Sequence, residues 1–337
     1  MTGSGHHVGP WYFALFTALV GLVLVALLVG EVSISPAQAW QAFVGRLGIG
    51  DGTATEAVFW SIRMPRVVAA VLVGAALGAS GAILQGVYRN PMADPFLLGV
   101  SSAAGLGAVV GITLTPAGGI PLLTMVVAAA AGAAFAVLTK RIAKATVDPA
   151  RFILVGVALG FALLAWTVVF VFIWDSPRLP TFTYFIFGGL GAVTWEAVWS
   201  ALPFILGGIT VVTVLVRELD LLSLGDREAG HLGVRVDRVI AALLIGAGIA
   251  VGASVGLAGV IGFVGLLAPF TVRRWVGPTH RHLLPASILA GAILVVAADV
   301  VARLVAGPVE VPIGIITAAV GGPFLVWMLV RTKGVTT

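Results

Sequence analysis

The sequence contains no cysteine, which excludes a disulfide framework, thiolate metal ligands and thiol redox chemistry. Charge is scarce too: Asp, Glu, Lys and Arg make up 10% of the 337 residues, whereas hydrophobic residues make up 60% and mean hydropathy is +1.12. That balance cannot coat a soluble domain, and it places the chain in a lipid bilayer. No G-x-x-x-x-G-K-[ST] run occurs, so the chain is not its own ATPase, and no H-E-x-x-H run occurs either. The five histidines sit at the chain start (His6, His7) or in polar connections (His231, His280, His282), so neither a metal nor a cofactor is expected. An intramembrane hydrolase would need a nucleophile and a partner at helix depth. Ser80, Ser254 and Thr317 are present, but small hydroxyls in apolar helices usually bond their own backbone, and the chain is not expected to be an enzyme.

Apolar runs of spanning length recur instead. Trp11 to Gly30 has about the 20 residues that a crossing helix needs. The A-x-A at 37–39 resembles a signal-peptidase site, but the preceding run is long and residues 1–10 hold no Lys or Arg, so cleavage is not expected. Residues 31–60 read as a loop with a short surface helix around Pro36 to Leu47. Further helices are expected at about 64–88, 95–113, from the Pro116–Pro121 turn to Lys140, and at 151–174, 195–216, 283–303 and 312–331. Between Arg238 and Arg273 lie 34 uncharged residues, enough for two crossings only if both are short or meet below the surface. The aromatic, Gly-rich stretch 182–191 is too short to span and reads as a half-helix at a pore mouth. The total is an all-α polytopic membrane protein of about ten transmembrane helices, one domain over 1–337, with a charged amphipathic loop at about 217–238.

The first polar break is sharp. Tyr88-Arg89-Asn90-Pro91 interrupts the second apolar run, and Asp94-Pro95 follows; each proline forces the residue before it away from helical geometry, which predicts an elbow of fixed shape. Small-xxx-small spacings at Gly74/Gly78, Gly107/Gly111, Gly156/Gly160 and Gly248/Gly252/Gly256 fit helices in close backbone contact.

Basic residues orient the map. With the N-terminus inside, the segments carrying Arg89, Lys140–Arg151, Arg217–Arg238, Arg273–Arg281 and Arg331–Lys333 hold fourteen of nineteen Lys and Arg on the cytoplasmic side, and both termini are cytoplasmic. The net charge of +5 is thus a topology signal and implies no nucleic-acid partner. The ten residues from Arg66 and the ten from Arg238 agree at seven positions and open helices that run in opposite directions. Inverted-repeat-like halves, as in many transporters, explain the match; convergence of Ala/Leu/Gly-rich helices is the alternative. Few ionisable groups lie at membrane depth. Asp299 and Arg303, one turn apart, are expected to pair, Glu310 precedes a proline, and Gln85 faces either a conduit or a neighbouring helix. An ion-gradient-driven secondary transporter of a bulky solute is the rival reading, and the missing intramembrane carboxylate relay speaks against it.

RMPR at 63–66, GAALGASGAILQG at 74–86, RNPMADPFLLGVSSAAGLGA at 89–108, LGVRVDR at 232–238 and GLAGVIGFVGLLAPFTVRR at 256–274 appear in order, followed by GPTHRHLLPASILAGAILVVAADVVARL and EVPIGIITAAVGGPFLVWML. This succession, from about residue 60 to the end, closely resembles the FecCD family, the permease subunits of ABC importers for ferric siderophores, haem and cobalamin; Phe270 departs from its pattern. The resemblance implies a permease in the cytoplasmic (inner) membrane that pairs with a second permease subunit, identical or not, works with separate ABC ATPase subunits and is fed by an extracytoplasmic substrate-binding protein. It further implies that Arg63, Arg66 and Arg303 meet acidic residues of that binding protein, against the alternative of snorkelling to lipid headgroups. Asn90 and Met92 match residues lining the family's cytoplasmic gate, with the Thr146–Asp148 loop as the opposite wall, and a plain structural turn is the alternative. The loop from Leu222 to Val234, including Leu222, Leu224, Gly225, Ala229, Leu232 and Gly233, matches the family's ATPase-coupling helices; otherwise its leucines merely cover the base of the bundle.

Overall fold

A computed structural model describes residues 8–30, 34–45, 54–114, 121–145, 149–173, 185–305 and 311–332. Every regular element among them is helical. In order they are α1 (Gly9–Leu28), α2 (Pro36–Val44), α3 (Ala54–Val58), α4 (Met64–Val87), α5 (Val100–Leu114), α6 (Leu122–Ala145) and α7 (Pro149–Ile173). Then come α8 (Trp195–Val214), α9 (Val216–Leu222), α10 (Asp226–His231), α11 (Val236–Ala258), α12 (Val264–Val276), α13 (His280–Val305) and α14 (Ile313–Thr332). Among the described residues eight helices are long and apolar enough to cross a membrane, and α5 is a shorter apolar helix, in keeping with the polytopic all-α class expected.

The two helices that the repeated sequence opens are the two at the centre. Most of α4 and α11 is buried, whereas α1, α7 and α14 face outward. Packing is reciprocal: α4 lies along α13, and α11 lies along α6. Glycine permits both contacts. A Cβ on Gly78 would collide with the Ser287 carbonyl, and one on Gly248 would stand 2.5 Å from Ala133 Cα and 2.6 Å from the Gly132 oxygen. The spacings at Gly107/Gly111 and Gly156 likewise press on α6 and on Leu97–Leu98. Each half of the sequence thus lends a glycine-lined central helix to a partner from the other half.

Boundaries differ from expectation in two places. The chain enters α4 from α3 through a π-helical turn at Phe59–Arg63, so regular structure begins before Arg63. Of the two crossings between Arg238 and Arg273, expected to be short or to meet below the surface, α11 is full length with 23 residues and α12, with 13, is short. The break between them, Gly259 to Phe263, turns on left-handed residues, Gly259 at φ +69° and Phe263 at +66°. Into this break fits the segment 185–193, one helical turn at 185–187 followed by irregular chain with a turn at 191–192; residues 182–184 of the expected half-helix lie outside the described residues. Val260 N–H donates to Phe185 O at 2.9 Å and Gly189 N–H to Ala258 O at 2.8 Å, so non-helical backbone at depth is satisfied by protein.

Aromatics gather at both ends. Trp11 stacks on Trp275 at 5.2 Å at the end that carries most of the basic residues. Trp40, Phe43 and Trp60 stack in series at the other, where α2 is closed by a capping box between Ser35 and Gln38. Such belts suit the two interfaces of a bilayer. Both described chain ends lie at the basic end. Tyr12 of α1 donates to His282 O at 2.9 Å, and Trp327 of α14 packs against Phe270 of α12.

Candidate functional site

At the basic end the elbow is built as the sequence predicts, and more tightly. Helix α4 closes with Arg89 N–H on Gly86 O at 3.2 Å and Asn90 N–H on Gln85 O at 3.1 Å, the paired bonds of a Schellman cap. The left-handed residue of that cap is Arg89, at φ +48°, where glycine is usual. Asn90 is buried and its Oδ1 accepts Met92 N–H at 2.9 Å; Met92 is half-buried. Four residues on, buried Asp94 accepts Phe96 N–H at 2.8 Å and Leu97 N–H at 3.2 Å through Oδ1, and Leu266 N–H also donates to it. One carboxylate therefore ties the approach to α5 to the first turn of α12. Asp148, the expected opposite wall, lies outside the described residues with Thr146.

Tyr88 anchors the elbow on the other side. Its hydroxyl bonds Thr139 of α6, and its ring packs 4.7 Å from Phe152 of α7. Burial pushes its hydroxyl well above the ordinary phenol range, so it stays protonated.

Residues 216–234 form two short helices below the elbow. Leu222 and Ala229 are buried and root the pair in the bundle, while Leu224 and Leu232 stand 63% and 60% exposed. Gly225 at φ +132° and Gly233 at +88° make the two turns, which no L-residue adopts readily. The six expected residues therefore divide into two that face outward and four that shape the loop.

The loop is wired to the bundle by groups of which the sequence marks Arg89 and Arg273 only as topology charges and does not single out Asp220. Asp220 accepts His280 N–H at 2.6 Å and Arg281 N–H at 3.3 Å, capping α13 from α9, and its Oδ1 lies 2.9 Å from His280 Nδ1. Arg89 reaches the Leu222 carbonyl at the end of α9 from Nε at 3.1 Å and Nη2 at 2.6 Å, and also pairs with Asp226 of α10. Arg273 Nη2 donates to Gln85 Oε1 at 2.8 Å, and Gln85 Nε2 reaches Gly265 O at 3.3 Å, so Gln85 serves a neighbouring helix. Gln85, Arg89, Asp220, Arg273 and His280 line a cavity of about 460 Å³ between elbow, α9 and the start of α13. Ser254 and Thr317 bond their own helices as expected, whereas Ser80 crosses from α4 to the Ala247 carbonyl of α11 at 3.2 Å.

Arg63, Arg66 and Arg303 come together at the opposite end, but turned inward. Arg63 and Arg66 are 5% and 6% exposed. Arg66 Nε pairs with Asp299 Oδ1 at 2.8 Å and Arg303 Nη2 with Asp299 Oδ2 at 2.7 Å. Arg63 Nη1 donates to Leu27 O at 2.7 Å, and Arg303 Nη1 to Ala26 O at 2.9 Å and Val29 O at 2.6 Å. Two guanidinium groups thus satisfy the last carbonyls of α1, where a cation also suits the helix dipole. Neither free snorkelling nor a free docking charge describes these side chains in this conformation. Glu310 lies outside the described residues.

Comparisons agree with this architecture. The model of the FecCD transport family matches residues 18–331. The vitamin B12 import system permease protein BtuC of Klebsiella pneumoniae is 38% identical over 328 residues, 96% of this chain and 94% of that protein. The hemin transport system permease protein HmuU of Yersinia pestis is 36% identical over 335 residues, 95% of each. Among solved structures, one described as an inward-facing conformation of a metal-chelate type ABC transporter superposes with a TM-score of 0.78 at 28% identity, covering 96% of this chain and 99% of the other.

Proposed function

The chain belongs to the FecCD transport family, and on that premise we propose that it is the membrane-spanning permease subunit of a binding-protein-dependent ABC importer in the cytoplasmic membrane. Its cargo is a bulky metal chelate or macrocycle of the cobalamin, haem or ferric-siderophore kind. The basic end is cytoplasmic, and both termini lie there. Two copies, or this chain and a related permease, enclose the path, and ATP is hydrolysed by separate subunits.

One observation carries the reading beyond family membership. Leu224 and Leu232 are exposed at the tips of a loop that is otherwise rooted by buried Leu222 and Ala229. Apolar tips on a charged loop, held in shape by two glycine turns, suit insertion into a cleft of a partner ATPase. Asn90 and Met92 form one face of the cytoplasmic gate, and Asp148 is the residue that the family resemblance assigns to the other. At the outer end Arg63, Arg66 and Arg303 brace the surface on which the binding protein sits, holding α1 against α4 and α13.

The test is capture of the cognate extracytoplasmic binding protein. Permease and ATPase, co-expressed and purified in detergent, should retain that binding protein with its ligand still attached, and should hydrolyse ATP faster in its presence. A purified complex that ignores the loaded binding protein would overturn the proposal.

A further inference from the structure

Arg89 occupies a position that local chemistry would give to glycine. In a Schellman cap the left-handed residue is usually Gly, because a side chain there crowds its own backbone. Arg89 holds φ +48° regardless, and its guanidinium does not trail into solvent but forks onto the Leu222 carbonyl from Nε and Nη2. That carbonyl ends α9, so a cation meets the negative end of the helix dipole. The same group pairs with Asp226 in the first turn of α10. One side chain therefore holds both short helices of the loop, on either side of the Gly225 turn.

On its backbone side Arg89 is joined directly to the elbow. Asn90 N–H is bonded to Gln85 O, and Asn90 Oδ1 to Met92 N–H, so residues 89–92 are fixed to one another and to the end of α4. A displacement of α9 and α10 reaches Asn90 and Met92 through one side chain with no flexible segment between. Other ties of the loop lead elsewhere: Asp220 reaches the start of α13, Leu222 and Ala229 are buried in the bundle, and buried Leu219 lies beside Gly86 in the last turn of α4, a packing contact that carries no hydrogen bond to residues 89–92.

We propose that Arg89 is the positioning residue that carries movement of the 216–234 loop into the Asn90–Met92 elbow. This rests on the permease reading above, with the loop as the ATPase contact and the elbow as the gate. Bidentate geometry matters, since a point charge would keep Asp226 but lose the fork on the Leu222 carbonyl.

The experiment uses the whole transporter, permease with its ATPase and binding protein, in liposomes. The chain has no native cysteine, so Met92→Cys accepts a single spin label per copy, and the gate is reported by the distance between the two labels of a homodimer or, with a related permease as partner, between this label and one at the partner's matching position. The distance is measured without nucleotide and after trapping with ATP and vanadate. With Arg89 in place, trapping should shift the distance distribution. Arg89→Gly, which suits the left-handed backbone, should still co-purify with the ATPase and hydrolyse ATP, yet the population shift on trapping should fall by roughly 5- to 10-fold. Arg89→Lys should fall between the two. An undiminished shift in Arg89→Gly would overturn the proposal, because the cap alone would then account for the residue. Arg89→Gln serves if Arg89→Gly does not assemble, and failure of both to assemble would also overturn it by making Arg89 a folding residue. Absence of any ATP-dependent shift with Arg89 intact would instead contradict the permease reading, so the two failures are distinguishable.

Discussion

Arg66 donates its Nε–H to Asp299 Oδ1 at 2.8 Å across the contact between α4 and α13, with Asp299 fully buried. The two residues are 233 positions apart and belong to opposite halves of the repeat. Arg303 completes the carboxylate at 2.7 Å and passes on to the last carbonyls of α1. This pair therefore joins α4 to α13 at the end of the bundle opposite the elbow.

Breaking the pair from one side should be costly. Asp299→Leu would leave two buried guanidinium groups facing an apolar side chain, and a loss of about 3–5 kcal/mol is expected from stranding a buried charge. Thermal unfolding in detergent measures it, and Asp299→Leu should fall well below a surface control such as Arg281→Gln.

Glycine contacts predict a sharp asymmetry along the chain. Gly78→Leu or Gly248→Leu must push apart backbones that already touch, for a loss of about 1–3 kcal/mol or more. Gly207→Ala on α8 meets open space and should be neutral or stabilising by about 0.5–1 kcal/mol. Thermal shifts of the purified variants would order them.

Asp220 caps α13 from another element. Asp220→Ala should lower stability by about 0.5–2 kcal/mol, while Asp220→Asn, which keeps an acceptor for His280 N–H, should recover most of the loss. The same melting assay reports both.

Sorting the loop leucines by exposure gives opposite phenotypes to residues two positions apart. Leu224→Asp with Leu232→Asp should leave the permease folded but release the ATPase on purification. Leu222→Asp should instead reduce the amount of folded permease, because that side chain is 2% exposed. Size-exclusion profiles and ATPase co-purification separate the two outcomes.

Much of the helix map was legible because its signals are local. Apolar run length placed the crossings, Asn90-Pro91 and Asp94-Pro95 placed the elbow, and ten residues from Arg66 and Arg238 marked the helices that prove central. Partnerships were harder to read. Arg63 and Arg66 looked like outward charges because their acceptors are a carbonyl of α1 and an aspartate 233 residues away, and a carbonyl acceptor leaves no trace in sequence; the pairing of Arg303 with Asp299 was legible from their one-turn spacing, but its bonds to the α1 carbonyls were not. The same holds for Arg89 on Leu222 O. Its one sequence clue was a long cation at the point where a helix stops before Asn-Pro. The unequal lengths of α11 and α12 were hidden because the left-handed turn at Phe263 carries no glycine signal.

The energy source is the most direct test of the central claim. Permease, ATPase and binding protein are reconstituted in liposomes with the binding protein in the lumen, and radiolabelled cyanocobalamin, haemin and a ferric hydroxamate are each supplied there. Release of at least one of them to the outside should require external ATP, stop with vanadate and ignore collapse of proton and sodium gradients. Movement of any of the three by the permease alone, driven by an imposed ion gradient with no ATPase present, would contradict the account.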